Sequence, residues 1–141
     1  MTVTYAQSNS ILAFNFGGTT QLNLSPLYLG LSKTTPTLYG ANITEPTGSN
    51  YARVLIDNTP SGASWDTATL GVIKNAIQLS FIESAGEWAS TAAPITHIFL
   101  ADSLSSTGTS VLYYAQLTAS RAIPAQTTVY FTVGSLSISL T

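Results

Sequence analysis

The sequence contains no cysteine, a single histidine (His97) and very little charge. The absence of cysteine excludes disulfides and thiolate metal sites. Charged residues make up 7% of the chain, against about 25% in typical soluble domains. Because the four lysines and arginines are scattered and form no basic run, no nucleic-acid partner is expected. No apolar run approaches the roughly 18 residues that span a bilayer, so no membrane partner is expected either.

Serine, threonine, asparagine, glutamine and glycine take the place of the missing charges. Free monomers stay apart partly because they carry charge. We therefore expect much of this surface to be covered in an assembly. The alternative is a stable β-domain whose hydroxyl-rich surface faces water, and the composition leaves both interpretations open.

Signals typical of short β-strands dominate the chain. Runs rich in Val, Ile, Leu, Tyr and Phe recur between clusters of Gly, Pro, Ser and Thr. This pattern predicts an all-β fold, a two-sheet antiparallel sandwich of jelly-roll type. The 141 residues are expected to form a single domain, with residues 1–9 as an N-terminal arm. The predicted strands are Leu27–Ser32, Tyr51–Ile56, Ala76–Phe81, Ile95–Ala101, Val111–Thr118, Thr128–Val133 and Leu136–Leu140, with Thr2–Tyr5 as a candidate eighth.

The periodicity of the strands predicts which faces are buried. Leucine and isoleucine alternate with serine in Leu136–Leu140, which is typical of a half-buried strand. The same alternation in Ala76–Phe81 turns Ile77 inward. Both faces of Ile95–Ala101 are apolar, so this strand is expected to be central or to lie against another subunit. At most one short helix is predicted, over Ser8–Gly18.

His97 raises the question of a hydrolase, because Asp102 and Ser103 follow it closely. In a strand, however, Asp102 lies about 16 Å from His97 and on the opposite face. His97 instead shares a face with Ile95 and Phe99, which is typical of a packed histidine with one hydrogen bond. A catalytic role would require His97 to be exposed beside a carboxylate.

The remaining polar residues form no motif for a metal or a cofactor. Glu83 and Glu87 are expected to be exposed acids of a loop. One histidine and six acids scattered along the chain do not match metal-ligand spacing. The stretch "NFGGTT" lacks the lysine and the spacing of a phosphate-binding loop. No cofactor is therefore expected.

Several residues are expected to have structural roles. Trp88 is predicted to plug an end of the sandwich, and His97 to pack within its strand. Tyr51 and Arg53 share one face of their strand, so Arg53 is expected to reach a carboxylate or to lie across Tyr51.

Candidate interface regions are the N-terminal arm, Thr2–Asn9, and the loops around Tyr39–Asn50 and Asp102–Ser110. The hydroxyl-rich arm is suited to adding a strand to a neighbouring subunit, and the two loops have the small polar composition of exposed contact loops. The candidates are Thr2, Val3, Tyr5, Tyr39 and Asn42. Exposed aromatic side chains forming a sugar-binding platform are an alternative, although core and interface packing explain the aromatic residues more simply.

A series of blocks extends this interpretation: "LYLGLSKTTP", "TEPTGSNYARVLI", "GEW…ITHIFLADS" and "LYYAQLTASRAIPAQTTVYFTVGSLSISL". In this order they resemble a family of small tailed-bacteriophage virion proteins, described variously as capsid decoration (cement), tail fibre or minor tail proteins. The resemblance runs from about Ser8 to the end of the chain and rests on strands and turns rather than on a catalytic signature. The stretch "STAAP" (Ser90–Pro94) and the N-terminal "TVTYA" depart from it.

The resemblance implies a non-enzymatic structural protein of a virion that is assembled in the bacterial host cytoplasm. The first expectation is a cement protein, a homotrimer that binds the major capsid protein on the outer surface of the head. Such a protein stabilises the mature shell by mass action. The alternative is a tail fibre or minor tail component that contacts the host surface and binds its glycans.

Overall fold

A computed structural model of the protein describes residues 1–16, 26–57, 64–104 and 111–139, with residues 13–16 described by backbone alone. Most of the elements in these ranges are strands that pair antiparallel, with one short helix near the N-terminus. This confirms the predicted all-β class, while the jelly-roll connectivity and the single domain with an arm stay predictions. The elements are β1 (Thr2–Val3), α1 (Tyr5–Phe16), β2 (Leu27–Ser32), β3 (Val54–Ile56), β4 (Val72–Lys74), β5 (Leu79–Ser80), β6 (Ile95–Ala101), β7 (Val111–Arg121), β8 (Tyr130–Phe131) and β9 (Ser137–Ser139).

The largest sheet has five strands in the order β1-β7-β6-β2-β3. The bounds of β2 and β6 agree with the prediction, and β6 lies between two neighbours, as its two apolar faces indicate. Two small sheets pair β4 with β9 and β5 with β8. Leu29 and Leu100 of the large sheet pack in one buried cluster with Leu79 and Ile138 of the small sheets. The main core therefore lies between the large sheet and the two small ones, and we call this side of the large sheet its inner face.

The outer face of the large sheet carries a second, smaller cluster. Phe99, Ala101 and Val111 are buried there, and Ile43 and Tyr114 pack against them. Because neighbouring strand residues point to opposite faces, Phe99 lies outside while Leu100 lies inside. Ile43 belongs to residues 33–50, which follow β2 in the chain and precede β3. Because Ile43 packs on the outer face, we call residues 33–50 the outer loop.

Several predicted strands are shorter in the structure because side chains replace strand pairing. The stretch Tyr51–Ile56 pairs with β2 only from Val54 onward, and the Leu31 N–H donates instead to the Tyr51 hydroxyl at 2.9 Å. In Ala76–Phe81, the Asn75 side-chain amide donates to the Ile77 carbonyl. Ile77 is exposed, so the prediction that it points inward was wrong.

The C-terminal half of the chain also departs from the predicted bounds. β7 runs beyond Thr118 to Arg121, whereas Thr128–Val133 forms a strand only at Tyr130–Phe131. β4 was not predicted; it follows a turn at Leu70 and Gly71, both with positive φ. The alternation in the last strand is confirmed, since Leu136 and Ile138 are buried and the serines between and beside them are exposed. Leu140 lies outside the described residues.

The helix begins earlier than predicted, at Tyr5 rather than at Ser8. Thr4 is the reason: its hydroxyl accepts the Gln7 N–H at 3.4 Å and donates to the Val111 carbonyl at 2.9 Å. Thr4 is fully buried and acts as the N-cap. It therefore both starts the helix and attaches it to β7. The predicted end at Gly18 lies outside the described residues.

Candidate functional site

A buried ion pair holds the outer loop to the strand region that follows it. The Arg53 Nη2 atom lies 2.6 Å from Glu45 Oε1, and Arg53 Nε donates to Glu45 Oε2 at 3.1 Å. The side chains are only 3% and 13% exposed. This two-point contact is the geometry in which arginine binds a carboxylate most specifically. The expectation that Arg53 reaches a carboxylate is met, and Glu45 is a partner that the sequence analysis did not identify.

Tyr51 and Ser103 complete this arrangement, which we call the polar clamp (Glu45, Tyr51, Arg53 and the Ser103 carbonyl). The Tyr51 hydroxyl donates to Glu45 Oε2 at 2.9 Å, and Arg53 Nη1 donates to the Ser103 carbonyl at 2.6 Å. Burial, and secondarily the negative charge of Glu45, raise the pKa of Tyr51 far above its ordinary value. Tyr51 therefore stays protonated and serves as a hydrogen-bond donor. The clamp fixes the end of the outer loop.

Phe99 connects the polar clamp to the sheet beneath it. The Arg53 guanidinium carbon lies 5.0 Å from the centroid of the Phe99 ring, within the range of a cation–π contact. On the paired strand, a Cβ atom added to Gly30 would lie 2.2 Å from Phe99 Cζ. Only glycine leaves space for this ring. Gly30 was not singled out by the sequence analysis, although a glycine inside a strand is a signal of close approach.

His97 is buried rather than placed in an open site. It is 5% exposed, and its Nδ1 atom lies 2.9 Å from the Thr96 hydroxyl. Burial lowers the pKa of His97 below its ordinary value. A shift in the β6–β7 register separates Ile95 from His97, and Ile95 packs in the main core. The exposed His97 that a hydrolase requires is not what the structure contains, because the imidazole is buried.

Trp88 lies in the main core and also contacts the outer loop. It makes edge-to-face contacts with Tyr51 and Phe81, at centroid distances of 5.3 and 6.1 Å. Its indole N–H donates to the Ser49 carbonyl at 2.8 Å. Trp88 thus links the core to the turn that precedes Tyr51, a contact that no local pattern indicated.

The candidate interface residues fall into two groups. Thr2 and Val3 pair with Tyr114 and Tyr113 of β7 in the same chain. Their proposed use as an arm stays a prediction. Tyr5 is the first residue of α1 and not the last residue of a strand, as the candidate strand Thr2–Tyr5 would have it.

Tyr5 and Tyr39 come together although they are far apart in sequence. Their rings meet edge to face with centroids 5.2 Å apart, and Tyr39 is 82% exposed and Tyr5 48%. Asn42 lies in the same loop, with φ at +62°, and its side-chain amide donates to the Thr35 carbonyl at 2.8 Å. One candidate of the arm, Tyr5, and one of the outer loop, Tyr39, thus adjoin at an exposed place.

An apolar groove beside β7 was missed by the sequence analysis. The β7 residues between Gln116 and Arg121 bulge away from β6, and a groove of about 450 Å³ opens next to the bulge. Its apolar lining includes Leu31, Ile95, Leu117, Val129 and Phe131. A smaller groove of about 190 Å³ lies beside the polar clamp.

Within the described parts of the chain, no cluster of acids and histidine is arranged to hold a metal ion. Glu83 and Glu87 are exposed, as expected of loop acids. None of the described helical structure is long and apolar enough to cross a membrane.

Comparison with known proteins identifies the family. The family model described as "Podophage GP4 fiber I protein gp80" matches residues 2–139, which is nearly the whole chain. No curated protein matches the sequence. The strand-and-turn blocks resemble those of small tailed-phage virion proteins, and this match confirms that resemblance. The chain belongs to the family of the podophage GP4 fiber I protein gp80, and it is a structural protein of a phage virion.

Proposed function

We propose that this protein is a non-catalytic building block of a virion fibre, located where the fibre contacts its surroundings. The family description supports a fibre role. The structural observation that carries the proposal is the uncharged part of the outer loop around Tyr39, residues 34–44. There the outer loop is fixed by hydrogen bonds and yet presents Tyr39 to solvent. A rigid body with an uncharged contact surface suits a protein that acts by binding.

Copies of the chain are proposed to associate with one another in the fibre, most simply as a homotrimer. The groove beside β7 and the exposed Tyr130 next to it offer apolar surface for such contacts. Few ion pairs are available, because the chain has only four lysines and arginines and six acids. Assembly is therefore expected to depend weakly on salt. A steep loss of association between low and moderate salt would contradict this.

A second candidate function is that of a capsid decoration protein bound to the major capsid protein on the outside of the head. The scarcity of charge favours it, because nearly neutral subunits pack side by side on a shell with little like-charge repulsion. Such a protein would bind the mature shell but not its dissociated subunits, and so stabilise the shell by mass action.

Antibody-gold labelling of intact virions, read by electron microscopy, separates the two functions. Gold over fibres is the result expected from the first proposal, and gold distributed over the head would replace it with the second. Disrupted particles serve as the control for a site that is hidden in the intact virion. Absence of the protein from both preparations would overturn both proposals.

A further inference from the structure

The exposed surface around Tyr5 and Tyr39 is the strongest feature that no structural role explains. We call it the tyrosine platform, comprising these two side chains and the flanking Leu38, which is also exposed. The exposed positions Asn9 and Leu12 continue it along α1, because residues four and seven positions after Tyr5 share its helix face. Tyr39 is 82% exposed, so most of its ring is open to a ligand.

The platform is held rigidly by the backbone. The Tyr5 N–H donates to the Leu38 carbonyl at 2.9 Å, which joins the helix start to the outer loop. A tight turn follows, in which the Gly40 N–H donates to the Thr37 carbonyl at 2.9 Å. Gly40 has φ at +74°, and a Cβ atom there would lie 3.3 Å from Val111. The turn therefore rests on β7, and the two rings are oriented before any ligand arrives.

The described residues that make up the platform carry no charge, and the charged residues that flank residues 34–44 in the chain are Lys33 and Glu45. Helix α1 contains no acidic or basic residue, and residues 34–44 of the outer loop contain none either. The next acid along the chain, Glu45, is bound to Arg53 in the polar clamp. An anionic ligand such as nucleic acid or a phosphate headgroup would meet no cation among the platform side chains, whereas such ligands are bound mainly through lysine and arginine.

We propose that the tyrosine platform binds a neutral sugar residue of a host surface glycan. The apolar C–H face of a pyranose ring stacks on an exposed aromatic ring, and tyrosine adds a hydroxyl that exchanges hydrogen bonds with the sugar hydroxyls. Tyrosine also supplies this contact area at a small cost in conformational entropy. The inference rests on the proposed location in a fibre that meets the host surface.

The test uses the full-length protein and the neutral polysaccharide fraction released from host cells, with the anionic fraction as the comparison. Binding is followed by saturation-transfer NMR. Tyr39→Ala is expected to weaken binding to the neutral fraction at least tenfold, and Tyr39→Phe to retain most of it because the ring remains. Ile82→Ala is the control: Ile82 is an exposed apolar side chain, 59% exposed, outside both the platform and the groove beside β7, so binding should not change.

Several results would overturn the inference. These are failure of the wild type to bind the neutral fraction, binding that Tyr39→Ala leaves unchanged, or equal loss in Ile82→Ala. If Tyr39→Ala instead alters the oligomeric state in light scattering while the wild type binds no sugar, the platform is an interface between copies. Gold labelling of virions separates this inference from the proposed fibre role. Gold on the fibre, together with no sugar binding, would reject sugar binding by the tyrosine platform and leave the fibre role in place.

Discussion

The inner and outer faces of the five-stranded sheet are held by different kinds of contact. Leu100 and Phe99 are successive residues of β6, and both are fully buried. Leu100 packs in a large cluster of aliphatic and aromatic side chains that joins the sheets. Phe99 belongs to a small cluster and contacts the Arg53 guanidinium of the polar clamp. One face is therefore held by apolar packing, and the other by packing combined with directed hydrogen bonds.

The hydrogen bonds of the outer face explain why the protein presents a surface of defined shape on that side. Apolar packing is non-directional and tolerates exchange between side chains of similar volume. Hydrogen bonds in a buried network favour one arrangement of their partners. The outer loop, held by Glu45, Tyr51 and Arg53, thus has a defined position although much of it is exposed. The inner face supplies stability, and the outer face supplies the shape on which the proposed binding depends.

The largest expected effect comes from removing the residue that links the two faces. Trp88→Ala is expected to lower the free energy of unfolding by about 3–5 kcal/mol, as for other buried aromatic side chains replaced by alanine. It removes the ring contacts to Tyr51 and Phe81. Denaturant unfolding followed by circular dichroism measures the change.

The second tryptophan provides a control for the hydrogen bond of Trp88. The Trp88 indole N–H donates to the Ser49 carbonyl, whereas that of Trp65 has no partner among the described residues. Trp88→Phe is therefore expected to cost roughly 1 kcal/mol more than Trp65→Phe. Equal costs would mean that the contact between the core and the turn contributes nothing.

Breaking the polar clamp is expected to have the next largest effect. Glu45→Gln leaves Arg53 buried without its carboxylate and is expected to destabilise by about 3 kcal/mol, at the lower end for broken buried pairs because Glu45 stays partly exposed. Glu87→Gln is the matched control at an exposed acid, with an expected change within about 0.5 kcal/mol.

The location of this loss is as informative as its size. Hydrogen exchange should increase in the outer loop before it increases in β6, because the loop depends on the clamp whereas β6 is also held by backbone pairing with β2 and β7. Replacing both partners, in Glu45→Gln combined with Arg53→Met, should recover part of the stability, since no buried charge is then left unpaired. Uniform faster exchange throughout both faces would show that the outer face does not unfold separately.

A smaller effect is expected from filling the space that Gly30 leaves for Phe99. The added methyl group of Gly30→Ala would overlap the ring, and overpacking of this kind costs about 1–3 kcal/mol. In a Phe99→Ala background the same substitution should cost almost nothing, because the obstructing ring is gone. A double-mutant cycle measures this coupling. Additive effects would contradict the close contact between the two residues.

The inner face was the more predictable of the two from sequence. β2 and β6 are continuous apolar runs bounded by breakers, so their bounds follow from composition and length. Prediction failed where a side chain took the place of a backbone partner. The Tyr51 hydroxyl ends the pairing of β3 with β2 early, and Asn75 turns Ile77 outward. The periodicity of the sequence does not predict these hydrogen bonds, because they join residues that only the fold brings together.

The candidate site was predictable only as separate residues. Tyr5, Tyr39 and Arg53 were recognised by type, but the meeting of the two tyrosines depends on the buried N-cap Thr4 and on the turn at Gly40. Both features are long-range consequences of packing against β7. The groove beside the β7 bulge was missed for the same reason, since a register shift between strands leaves no local signal.

The smallest expected effect is the pH dependence contributed by His97, the single histidine of the chain. The residues opposite it on β2 and β7 are the uncharged Ser32 and Gln116, and burial lowers its pKa in the folded protein. The unfolded chain therefore binds the proton more readily. Stability should be complete above the unfolded pKa of about 6.5 and should decline as pH falls through that value to the lowered folded pKa. Unfolding free energies measured between pH 7 and pH 5, above the range where most carboxylates titrate, should show this decline in the wild type and a flatter profile in His97→Gln. If the unfolding free energy of the variant falls with pH as steeply as that of the wild type, His97 does not cause the decline. The folded protein then accommodates the protonated imidazole, and the outer face is packed less tightly around it than its burial indicates.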